Sequence, residues 1–109
     1  MSRRLVMYVT PWCPGSGSAK SELAEWGVPY TLIDIRQDPA AAGRVRTWTG
    51  FESVPTLVIA EGDAVEPHAP PAPLPRGVSP RGIDRGSILT EPTRPQLRAW
   101  LVRQGILDK

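Results

Sequence analysis

The sequence predicts one α/β domain over residues 1–109, with elements in the order β-α-β-α-β-(insertion)-β-α. Three observations carry this. Residues 5–9, 30–35 and 56–60 are short apolar runs of β-rich character. The segments between them are punctuated as helices, so the first two runs form a βαβ unit and should be parallel. A proline-rich stretch then precedes one more short strand and a capped helix.

The first strand, residues 5–9, is continuously apolar and reads as a central strand buried on both faces. Thr10-Pro11-Trp12-Cys13-Pro14-Gly15-Ser16 follows it. Pro14 suits a first helical turn, because its missing N–H would be unpaired there anyway. Gly15 and Gly17 weaken that turn, so the firm part of the helix is expected over 18–26. Leu23 and Trp26 mark its inner face, and Gly27 is a stop signal.

Asp38 and Pro39 open the second helix as N-cap and first helical residue. Val45 and Trp48 mark its buried side, and Gly50 ends it. Ser53-Val54-Pro55 leads into the third strand, and Glu61-Gly62-Asp63 is a turn signal.

Composition then changes. Residues 66–82 are nearly free of large apolar side chains, and six of the thirteen prolines lie between Pro67 and Pro80. The insertion, residues 64–85, is expected to be polyproline-like or disordered. His68, the only histidine, has no second ligand type near it, so no metal site is expected. Residues 64–67 could form the return strand of a hairpin. Residues 87–90 are preferred as the fourth strand, because the last helix follows them directly. Thr93 caps that helix, with Gln96 completing a capping box. Leu97, Trp100 and Leu101 form its inner stripe, and Gly105 ends it with Ile106 packing back.

Charge and composition exclude several functions. A net charge of +2, with eleven scattered arginines among thirteen basic residues, gives no nucleic-acid stripe. No apolar run reaches membrane-spanning length. Arg3-Arg4 with five apolar residues is too short for a signal peptide, so a cytoplasmic location is expected.

Cys13 is the only cysteine, so any disulfide chemistry needs an outside partner. It sits where a strand hands over to a helix N-terminus. Unpaired N–H groups and the helix dipole there favour thiolate, the reactive form. Val54-Pro55 at the head of the third strand should face it. An X-Pro bond in that place is a candidate cis peptide, which would turn the Val54 N–H and C=O toward an extended substrate. Sequence order alone leaves cis and trans open.

Four stretches in this order resemble the glutaredoxin branch of the thioredoxin superfamily, and mycoredoxin-type proteins in particular. They are Tyr8 to Cys13, Asp38 to Ala42, Val54 to Thr56, and Leu89 to Thr93. The likeness covers residues 5–62 and 86–107. It implies a thioredoxin/glutaredoxin fold, with a four-stranded mixed sheet flanked by three helices, and a cis Pro55. It implies reduction of protein mixed disulfides, with mycothiol or glutathione as co-substrate and no bound cofactor. Carried onto this chain, Cys13 is the catalytic thiol. Ser16 stands where the family's second cysteine is usual, making a one-thiol CPGS site, and its Oγ can donate to the Cys13 thiolate. Thr10, Pro11, Trp12, Pro14, Val54, Pro55 and Thr90 are the expected substrate-binding residues. The sequence departs from the family in lacking the Gly-Gly and acidic pair near the last helix, and the insertion is foreign to it. Two other functions are compatible with the residues. One is an iron–sulfur cluster bridged by Cys13 of two chains and two small thiols. The other is an interaction module in which the proline-rich insertion docks on a partner.

Overall fold

A computed structural model describes residues 3–108. The elements are β1 (Arg3–Val9), α1 (Pro14–Glu25), β2 (Thr31–Asp34), α2 (Pro39–Thr49), β3 (Thr56–Glu61), β4 (Ile88–Thr90) and α3 (Arg94–Arg103). The sheet order is β2-β1-β3-β4. β1 runs parallel to β2 and antiparallel to β3, and β3 is antiparallel to β4. This is the four-stranded mixed sheet with three helices that the resemblance implies.

Alternation along β1 divides the core into two layers. Leu5, Met7 and Val9 pack with Leu23 of α1 and Leu97, Trp100 and Leu101 of α3. Val6 and Tyr8 face the other way, against Ala41, Ala42 and Val45 of α2. Both faces of β1 are thus covered, which explains its unbroken apolar run. β2 lies at the sheet margin, half-exposed, and is shorter than the apolar run suggested.

Local chemistry sets the helix ends. The Asp38 carboxylate accepts from the backbone N–H of Ala40 and Ala41, and Gly50 closes α2 in the left-handed region. Thr93 and Gln96 form the expected capping box on α3. α1 starts earlier than residue 18, at Pro14 directly after Cys13, so its two glycines do not delay it. Trp26 is only partly buried at the C-cap. Its indole packs against the core beside Leu23 and lies beneath the guanidinium groups of Arg94 and Arg98, while Ala19 and Leu23 are the fully buried apolar residues of the helix.

The proline-rich insertion forms no helix or strand, yet it is tied to the sheet along its length. At its start, Arg4 donates to Gly62 O at 2.6 Å and to Ala64 O at 2.7 Å, and the Tyr8 hydroxyl donates to Val65 O. In its middle, His68 N–H donates to Ile59 O at 2.8 Å and Ser87 Oγ donates to Ala69 O at 2.8 Å. The buried Arg85 guanidinium donates to Ala72 O at 2.8 Å and to Trp48 O at 2.6 Å. Pro80 is buried, and at the end of the insertion Gly82 N–H donates to Thr90 O at 2.7 Å. A disordered segment is therefore not what the fold contains. The polar side chains that anchor it lie mostly outside the proline-rich stretch, where composition does not reveal them.

Candidate functional site

Cys13 is the N-cap of α1, half-buried, with Pro14 as the first helical residue. Its N–H reaches Thr10 O at 3.4 Å, and its carbonyl accepts from Gly17 N–H at 3.2 Å. The Cys13 thiol donates to Val54 O at 3.4 Å, and Val54-Pro55 is a cis peptide. The first turn of α1 and the cis-proline loop meet at Gly15. A Cβ built there would lie 3.2 Å from Pro55 Cδ and 3.7 Å from Cys13 Sγ, so glycine permits the approach.

A groove of about 680 Å³ opens over this junction. One side is Cys13, Pro14, Gly15, Val54 and Pro55; the other is Arg81, Gly82, Glu91, Pro92, Thr93 and Gln96. Glu91 has φ +45°, a left-handed conformation unusual for a residue with a side chain, and its N–H donates to Pro55 O at 2.8 Å. That bond ties the two sides together.

The residues expected at the site divide into three groups. Cys13, Pro14, Val54 and Pro55 line the groove. Thr10, Pro11 and Trp12 stand beside it without lining it; Trp12 is 65% exposed, with the Arg36 guanidinium 4.2 Å from its ring centroid. Thr90 and Ser16 are buried. The Thr90 hydroxyl pairs with that of Thr56 at 3.1 Å and turns away from the groove. Ser16 Oγ has no hydrogen-bond partner among the described residues, so it does not donate to Cys13 Sγ. Its place on the third residue of α1 points it into the core, and this corrects the expected thiolate contact.

Seven lining residues were not expected: Gly15, Arg81, Gly82, Glu91, Pro92, Thr93 and Gln96. The capping box had marked Gln96 and placed the start of α3, but not what that start faces. No local signal in the sequence places Arg81 and Gly82, because the insertion brings them in. Among the described residues, no group of three or more potential ligand side chains could hold a metal.

The family model for glutaredoxin matches residues 5–65. No curated protein matches the chain. Among solved structures, the crystal structure of the thioredoxin-like protein BC3987 aligns with 27% identity and a TM-score of 0.46, over 57% of this chain and 90% of that one. A point mutant of BC3987 aligns at the same identity and score, over 57% of this chain and 89% of the mutant.

Proposed function

This chain belongs to the glutaredoxin family, matched over residues 5–65 of 109, and from that premise we propose that it is a monothiol thiol–disulfide oxidoreductase of the mycoredoxin type. Thiol–disulfide chemistry on a thioredoxin-like fold comes with the family. The one-thiol cycle and its small-thiol co-substrate, mycothiol or glutathione, are our reading. The observation that carries it is the Cys13 thiol at the start of α1, within 3.4 Å of the carbonyl before cis Pro55.

In the first step the Cys13 thiolate attacks the small-thiol sulfur of a protein mixed disulfide. A bond forms between Cys13 Sγ and that sulfur; the bond to the protein sulfur breaks, and the protein thiolate leaves and takes up a proton. A second small-thiol molecule, as thiolate, then attacks the small-thiol sulfur held on Cys13. The small thiol leaves as its symmetrical disulfide and the Cys13 thiolate returns. In net terms, one mixed disulfide and one free small thiol become the protein thiol and the symmetrical small disulfide. Val54 N–H has no acceptor among the described residues, which supports pairing with the backbone of an extended substrate.

The single thiol makes the cycle testable. Each protein is mixed with excess symmetrical small disulfide, the reagent is removed and intact mass is read. The parent chain should carry one stable adduct and Cys13→Ser none. An unmodified parent chain, or turnover retained by Cys13→Ser, would refute the proposal.

A further inference from the structure

Arg85 is the only charged side chain buried among the described residues, at 7% exposed. It has no acidic partner among them: the ion pairs are made by Arg3, Arg46, Arg81, Arg94 and Arg103. Burial pushes its pKa down from the usual arginine range, and no carboxylate opposes the shift. An arginine keeps its charge even so, and a buried charge without a counter-charge is costly. Two neutral carbonyls answer part of that cost. Nε donates to Ala72 O at 2.8 Å and Nη1 to Trp48 O at 2.6 Å, while Ala72 N–H donates back to Arg85 O at 3.0 Å. A guanidinium carries five N–H groups, so both on Nη2 and one on Nη1 are unspent among the described residues.

Arg85 borders a cleft of about 650 Å³ between the end of α2 and the proline-rich insertion. It is the only charged residue of the lining, which holds no Asp or Glu. The walls are apolar: Trp48 and Phe51 from the end of α2, and Pro73, Leu74, Pro75 and Val78 from the insertion. Phe51 is 62% exposed and Val78 41%, so two of the five large apolar side chains left in water among the described residues lie at this one place. The hydroxyls of Thr47 and Thr49 are taken by the backbone of α2, at 3.0 and 2.8 Å, which leaves Arg85 to orient whatever enters. No lining residue is shared with the groove over Cys13.

We propose that this cleft is a second binding site, for a small aromatic carboxylate that sets its anionic end on Arg85 and its ring against Phe51 and Val78. The inference stands apart from the oxidoreductase reading, since neither Cys13 nor its groove takes part. One carboxylate supplies the counter-charge that the fold does not, and charge-assisted bonds to the spare N–H groups are stronger than neutral ones. A phosphate fits less well. Its second charge has no partner in the lining, and apolar walls would strip water from oxygens with no donor to replace it. The volume is that of ordinary small-molecule sites, which join apolar walls to a few placed polar groups.

The test uses 3-phenylpropionate as probe, with its neutral amide and with acetate as controls. Binding is read by heteronuclear NMR on the backbone amides of Phe51 and Val78 and on the Arg85 Nε–H. The acid should shift these signals saturably, and both controls should bind at least about tenfold more weakly, the amide for want of charge and acetate for want of a ring. Arg85→Met should erase the preference for acid over amide, and Arg85→Lys should keep part of it. Val78→Glu puts a like charge at the exposed rim without touching the struts of Arg85, and should weaken the acid about tenfold while sparing the amide. That variant decides the matter even if Arg85→Met fails to fold. Equal binding of acid and amide, shifts centred on Gly15 and Gly82 instead, or no saturable shift at any concentration the acid's solubility allows would each overturn the proposal. Arg85 would then be a strut between α2 and the insertion and nothing more.

Discussion

Gly15→Ala places one methyl group at the closest approach between α1 and the cis-proline loop. The new Cβ would lie 3.2 Å from Pro55 Cδ and 3.7 Å from Cys13 Sγ. Carbon atoms rest at about 3.5–4.0 Å, so the contact with the proline ring is short by a few tenths of an ångström. Pro55 has little room to give. It is buried, its carbonyl holds Glu91 N–H at 2.8 Å, and β3 begins at the next residue. Alanine gains up to about 1 kcal/mol over glycine in a helix, but less in a first turn. Overpacking a tight contact costs about 1–3 kcal/mol. The second effect is larger, so the variant should be less stable by about 1 kcal/mol, a fall of about 5 °C in Tm for a domain of this size. The relief of the contact separates the loop from Cys13, and the rate of adduct formation should fall about tenfold, since small displacements of reacting groups are costly. Urea denaturation and single-turnover mass spectrometry read the two effects separately. A variant more stable than its parent and equally fast would show that the loop yields freely. The account of Gly15 as a required point of close approach would then be wrong.

Two further outcomes follow from buried polar groups. Arg85→Met removes the donors to Ala72 O and Trp48 O. Hydrogen bonds from a charged group are worth about 1.5–3 kcal/mol each, but the variant also escapes the cost of burying a guanidinium, so a net loss of about 2 kcal/mol is expected in urea denaturation. Unchanged stability would mean that the insertion is not held there. The second outcome concerns Tyr8, whose hydroxyl is pushed above the usual tyrosine range by burial, against the opposing hydrogen bond and charge of Arg44. A raised acid favours the neutral form in the fold, so its stabilising contribution is whole below about pH 10 and is lost as pH rises from there toward the raised value. Tyr8→Phe should cost about 1 kcal/mol at neutral pH through its lost hydrogen bonds, and should flatten the alkaline fall in stability. Parallel pH profiles for the two proteins would refute this.

Much of the fold could be read from residues whose structure is decided locally. Asp38 and Pro39, the Thr93–Gln96 box and the stop at Gly50 act within one turn of chain, so their consequences are written beside them. The apolar run of β1 was equally plain, because both its faces are covered. The near side of the groove was legible for the same reason: Cys13, Pro14, Val54 and Pro55 carry their own backbone constraints. The insertion was not legible. Proline-rich composition says how little apolar area a segment can bury, and that is true here. It does not say that Arg4, Tyr8 and Arg85 will supply donors to the carbonyls of the segment. Arg4 and Tyr8 lie far away in sequence and Arg85 stands past the proline-rich part, and with them went the placement of Arg81 and Gly82. Ser16 was misread for a related reason. Its spacing from Cys13 suggested contact, whereas its position on the inner face of α1 turned the hydroxyl into the core.

The path of the insertion also bears on how the protein behaves at high concentration. β4 is only three residues long and ends the sheet on its side. Bare strand margins recruit strands from other molecules and seed aggregation. Here the carbonyls of Ile88 and Thr90 are already taken, by the N–H groups of Arg85 and Gly82, and Ile59 O beyond the end of β4 is taken by His68 N–H. What covers them contains Pro70, Pro71, Pro73 and Pro75, residues with no N–H to offer an incoming chain. The insertion thus acts as a built-in gatekeeper against intermolecular sheet growth. Self-association through exposed strands is left to the other margin, the four residues of β2.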